Sequence, residues 1–98
     1  MFTMTKNEAK ELRNKILGFD PENQKECLKA VNQSGLALQF VKDQTEEICL
    51  AAVKEETLAL QYVKDQTPEI CLAAIEYGYG SPILYINDID KFINSLND

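Results

Sequence analysis

The chain has no histidine, no tryptophan and a single arginine, Arg13. Without histidine it lacks the usual general base and the commonest neutral metal ligand. One arginine is poor provision for bidentate contacts to phosphates or base edges. No apolar run approaches the roughly 20 residues that cross a bilayer. Met1 to Lys6 leads into charged residues instead of an apolar signal segment, so a cytoplasmic protein is expected. Three cysteines, an odd number, fit a reducing compartment.

Positive charge also runs short along most of the chain. Residues 1–31 hold six basic and five acidic side chains, whereas residues 32–98 hold four and eleven, for a net charge of -6. A surface of that sign repels a phosphate backbone, so direct nucleic-acid binding is not expected. Hydrophobic residues at 45% and charged residues at 27% are globular values, and 98 residues suffice for one domain with a thin core.

What the chain has in plenty is repetition. Glu26-Cys27-Leu28-Lys29-Ala30-Val31, Ile48-Cys49-Leu50-Ala51-Ala52-Val53 and Ile70-Cys71-Leu72-Ala73-Ala74-Ile75 recur at an offset of 22 residues. Leu36 to Thr45 is repeated in the same register as Leu58 to Thr67. A weaker copy, Pro82 to Asp88, follows with one residue inserted, and Ile16-Leu17-Gly18-Phe19 looks like a remnant at the other end. Divergent terminal copies are usual where a stack must be capped.

Thr67-Pro68-Glu69 marks a helix start, with Thr as N-cap, Pro at the first position and Glu at the positive end of the dipole. Thr45-Glu46-Glu47 and Asp20-Pro21-Glu22 carry the same signal. At helical spacing Ile48, Cys49, Leu50, Ala52 and Val53 form one apolar arc centred on Cys49. The other half of the unit predicts a second amphipathic helix, with Leu58, Ala59, Leu60, Tyr62 and Val63 on one side and Gln61, Lys64 and Asp65 on the other. Each helix is too short to be stable alone and must lean on its neighbours. Thr5 to Leu17 predicts an N-terminal helix closed by Gly18, followed by one from Pro21 to about Gln33. Ser81-Pro82 opens a helical tail with Ile83, Ile86, Ile89, Ile93 and Leu96 as its apolar row.

The phrase Ala59-Leu60-Gln61-Tyr62-Val63 followed by Cys71-Leu72-Ala73-Ala74 resembles a family of short tandem helical repeats, a domain of unknown function found in bacterial and large-virus proteins. The resemblance spans about residues 23–78 and implies an all-helical array, with no catalytic residues to carry over. This chain has only two full units between its caps.

Most residues that invite a chemical reading have a plainer one. Equivalent cysteines in neighbouring units should lie roughly 8–10 Å apart, too far for a disulfide or a shared zinc, so Cys27, Cys49 and Cys71 are expected to be core residues. Glu46 and Glu47 suit a helix N-terminus. Glu55 and Glu56 sit near a helix C-terminus, where acids are unfavourable, and point to a surface kept acidic for another purpose. Gln39, Lys42 and Asp43 recur as Gln61, Lys64 and Asp65, a polar stripe that reflects either recent duplication or use; an ion pair between Lys42 and Asp65 is a third reading. Tyr77-Gly78-Tyr79-Gly80 places two aromatics in a turn, either capping the last repeat or meeting a partner.

The expected fold is an all-α, short helical-repeat solenoid of 22-residue two-helix units with N- and C-terminal capping helices. It forms one domain over residues 1–98: an N-terminal helix at 1–20, repeats at 21–78 and a helical cap at 79–98. The expected function is a non-catalytic protein-binding module without metal or cofactor. It would use Gln39, Lys42, Asp43, Gln61, Lys64 and Asp65, with Glu55, Glu56, Tyr77 and Tyr79. Two other classes stand beside it: an acidic inhibitor that mimics nucleic acid to block a nucleic-acid-binding enzyme, and a structural repeat that self-associates through its ends.

Overall fold

Thr5 opens the first helix with a reciprocal cap. Glu8 N–H donates to Thr5 Oγ1 at 3.1 Å, and Thr5 N–H donates to Glu8 Oε1 at 3.3 Å. That helix, α1 (Lys6–Leu17), closes on Gly18, whose φ of 83° suits a residue without Cβ and whose N–H donates to the Asn14 carbonyl. The computed structural model describes residues 3–78 and 81–97, and these are all-helical, with no strand among them. After α1 come α2 (Gln24–Gln33), the 3-10 helix η1 (Gly35–Phe40), α3 (Glu46–Glu55), η2 (Thr57–Tyr62), α4 (Pro68–Tyr77), η3 (Pro82–Tyr85) and α5 (Ile89–Ser95). No described helix is long and apolar enough to cross a membrane.

Equivalent elements lie side by side: α2 packs on α3 and α3 on α4, while η1 packs on η2 and η2 on η3. The backbone repeats as closely as the sequence. The residues that end the three 3-10 helices, Val41, Val63 and Ile86, have φ/ψ of -73/122°, -75/119° and -80/118°. The molecule measures 61 × 23 × 21 Å, with a radius of gyration of 15.7 Å against about 13 Å for a round domain of this length.

The core runs along this axis. Ile48, Cys49, Ala52 and Val53 on α3, and Ile70, Cys71, Ala73 and Ala74 on α4, are buried between neighbours, with Leu38, Leu60, Val41 and Val63 from the other row. Gly35 sits where a Cβ would collide with the Ala52 carbonyl oxygen and with Glu56, so η1 meets the end of α3 with no room for a side chain.

Three sequence expectations need correction. Asp20-Pro21-Glu22 is a turn and not a helix start: Glu22 N–H donates to Asp20 Oδ1 at 2.9 Å, and α2 begins after Asn23, whose Oδ1 caps Glu26 N–H at 3.0 Å. The second half of each unit is a six-residue 3-10 helix and not an amphipathic α-helix, so Lys64 and Asp65 lie beyond its end. The tail is broken at Ile86 to Asp88 into η3 and α5. Ile86 from its expected apolar row is buried, Ile83, Ile89, Ile93 and Leu96 are exposed, and Phe92, outside that row, is the inward residue of α5.

Candidate functional site

The loops that join each 3-10 helix to the next α-helix share one edge of the molecule, and two glutamines hold them together. Gln44 Nε2 donates to the Tyr62 carbonyl at 2.8 Å, while its Oε1 accepts from Lys64 N–H at 3.0 Å. One unit later Gln66 Nε2 donates to the Tyr85 carbonyl at 2.9 Å, and its Oε1 accepts from Asn87 N–H at 2.8 Å. Each amide thus pairs with the carbonyl before and the N–H after one buried apolar residue, Val63 or Ile86. An amide supplies both donor and acceptor in this geometry, which a carboxylate cannot do. At the first loop, with no such glutamine before it, Lys42 N–H donates to the Pro21 carbonyl at 3.2 Å.

These clamps hold the ends of η2 and η3, while η1 ends with the same backbone angles at Val41 without one. With Tyr62 O and Lys64 N–H committed to Gln44, the backbone at Val63 is drawn into an extended conformation and cannot continue as α-helix. Gln44 and Gln66 were not among the site residues expected from sequence. The signal available was an identical polar residue at a fixed place, directly before each N-cap threonine.

The expected stripe is divided by this geometry. Gln39 and Gln61 each donate from Nε2 to a carbonyl three residues back, Leu36 and Leu58, at 3.0 Å, and so serve their own 3-10 helix. Asp43 accepts from Gln24 Nε2 at 2.8 Å. Its copy Asp65 has Glu46 where Asp43 has Gln24, and both carboxylates line a shallow cleft over Cys49. The Lys42–Asp65 ion pair is not formed: the ion pairs among the described residues join Lys10 and Arg13 to Glu22, and Arg13 to Asp20. Instead Lys64 Nζ reaches back to the Lys42 carbonyl at 3.4 Å. Arg13 and Lys10 hold the Glu22 carboxyl below its ordinary range.

Glu55 and Glu56 lie at the far end of α3 from the stripe, about 14 Å along the helix axis. They do not extend the stripe, and Glu56 has a local role: as N-cap of η2 its Oε1 accepts from Leu58 N–H at 3.2 Å. Tyr77 is exposed at the end of α4, with Lys54 Nζ 5.2 Å from its ring centroid. Tyr79 lies outside the described residues.

The three cysteines are buried and unpaired in disulfides. Cys27 Sγ lies 3.4 Å from the Pro21 carbonyl, and Cys49 Sγ 3.6 Å from Gln44 Oε1. Burial raises all three thiols; Cys49 is pushed up to about 11, with Asp65 and Glu46 adding to the effect of burial. At neutral pH they are thiols, and a thiol is a poor nucleophile. Among the described residues no group of three His, Cys, Asp or Glu side chains is placed to hold a metal ion.

A further opening lies at the first loop. Arg13, Lys42 and Lys64 surround the partly exposed ring of Phe40 in a cleft of about 430 Å³. Phe40 was not among the site residues expected from sequence; its copy Tyr62 is half-buried. Comparison with protein-family models, with curated proteins and with solved structures finds no match to this chain.

Proposed function

We propose that the chain is a short helical-repeat solenoid that works as a non-catalytic protein-binding module in a reducing, cytoplasmic setting. The tandem-repeat resemblance belongs to the same reading, supported by the recurrent backbone angles and by side-by-side packing of equivalent elements. A fold of this kind offers surfaces, and function must be argued from what one surface presents.

The observation that carries the reading is the loop edge. There Lys42 and Lys64 emerge beside Phe40, with Arg13, paired to Glu22 and Asp20, lining the same cleft: an apolar ring among cations on a chain of net charge -6. The partner suited to it is an acidic protein segment with one apolar side chain, seated along the edge between α1 and the stripe. Gln39 lines the same cleft.

The test is quantitative capture from native lysate. The wild-type chain is compared with Lys42→Ala/Asp43→Ala/Lys64→Ala/Asp65→Ala and, separately, with Phe40→Ser. All five side chains are exposed, so helicity by circular dichroism is expected to be unchanged while captured partners fall at least tenfold. Identical capture by all three proteins would remove this edge from the account.

A further inference from the structure

Among the described residues two apolar faces lie largely open, and they are at opposite ends. At the C-terminal end, position 75 repeats positions 31 and 53. Val31 and Val53 are 0% exposed because the next α-helix covers them, whereas Ile75 is 42% exposed. Its neighbour α5 is short and leaves Ile93 at 54% and Leu96 at 42%. At the N-terminal end the stack is already closed. Glu26 stands where later units have Ile48 and Ile70, and it accepts from Asp20 N–H at 3.1 Å, with Phe19 and Pro21 buried beside it. The helix α1 is surplus to that cap. Among the described residues Leu17, at its end, packs against the core and Lys10 and Arg13 reach Glu22 and Asp20; otherwise the helix buries no residue, and its stripe of Ala9, Leu12 and Ile16 is exposed, Ile16 at 75%.

Charge decides which face meets which. The helix α1 carries four basic and two acidic side chains; from α4 to α5 there are four acidic side chains, Glu69, Glu76, Asp88 and Asp90, and one basic, Lys91. Two C-terminal ends brought together by a two-fold axis would set acid against acid. With Lys10 and Arg13 paired to Glu22 and Asp20, α1 brings no such excess of acid, and on a C-terminal end it covers both apolar faces at once.

We propose that α1 of one copy docks on the open α4–α5 end of a second copy, so that chains associate head to tail. Each added copy keeps one face of each kind, so the contact does not close and growth continues with concentration.

The test is sedimentation equilibrium over a concentration series up to about 1 mM, the range of weak contacts. The proteins are full-length wild type, Leu12→Asp/Ile16→Asp and Ile93→Asp/Leu96→Asp, with Ile16→Asp and Ile93→Asp as milder versions. The average mass of wild type is expected to rise past two chains. Each double variant alone should stay at 11.1 kDa. An equimolar mixture of the two should form pairs and nothing larger, because one retains the open end and the other retains α1. A wild type that stays monomeric throughout, an α1 variant that still pairs with itself, or a mixture that does not pair would overturn the proposal.

Discussion

Helices α3 and α5 start alike and finish in different surroundings. In each, the N-cap side chain accepts from the N–H three residues on, Thr45 from Ile48 and Asp88 from Lys91. In each, the residue four after the cap points inward, Cys49 or Phe92. Yet α3 buries four of its ten residues and α5 one of its seven. The difference is company. Helix α3 has a helix on both sides, and α5 has α4 alone. Burial in this chain is a property of position in the row, and helix sequence follows it: the inner row uses small Ala and Cys where backbones approach, and the end uses a large Phe to fill the same place.

Large-to-small substitutions test that contrast most strongly. Leu60, fully buried between rows, is expected to cost about 3 kcal/mol when replaced by Ala, and Leu96 under about 1 kcal/mol, both read by urea unfolding. Equal costs would mean that the end is as well supported as the middle. The clamps come next. Gln44→Ala and Gln66→Ala each leave a carbonyl and an N–H without their partners, an expected loss of about 2 kcal/mol. The two losses should differ in reach: Gln66→Ala frees residues 82–96 to exchange amide protons while α2 and α3 stay protected, whereas Gln44→Ala loosens the units on both sides of it.

A smaller and pH-dependent difference belongs to the core thiols. An unfolded cysteine ionises near 9 and folded Cys49 near 11. Between those values the unfolded state binds fewer protons, so stability falls as pH rises through this window and is complete below it. Cys49→Ala should remove roughly 2 kcal/mol of that decline, seen as a flatter dependence of melting temperature on pH. The smallest effect expected is at Tyr77, where Lys54→Ala removes a surface cation–π contact and should cost about 0.5 kcal/mol or less by thermal melting.

Much of the helical layout was legible in the chain itself. Thr45 and Thr67 cap helices as their sequence contexts predict, Gly18 closes α1, and the cysteines fall in the core because they lie at the centre of an apolar arc. What escaped was anything decided between units. The extended residues after η2 and η3 are flanked by backbone groups claimed by a glutamine some 20 positions away. Periodicity within a unit cannot register such a claim. The same cause hid Gln44 and Gln66, which carry no charge and react with nothing, and misdirected attention to Lys42 and Asp65 as an ion pair. Identity after duplication drew attention to the stripe, but in Gln39 and Gln61 it marks local backbone bonding.

The central claim is that a glutamine of one unit locks the backbone of the next, and the Lys64 amide reports on it directly. Its residue is exposed, and its N–H has Gln44 Oε1 as its partner. Native-state hydrogen exchange should show Lys64 N–H slowed at least tenfold relative to an open loop amide, and released in Gln44→Ala while Asn87 N–H stays slow. A Lys64 amide that exchanges at the open-loop rate in the wild-type protein would contradict the account.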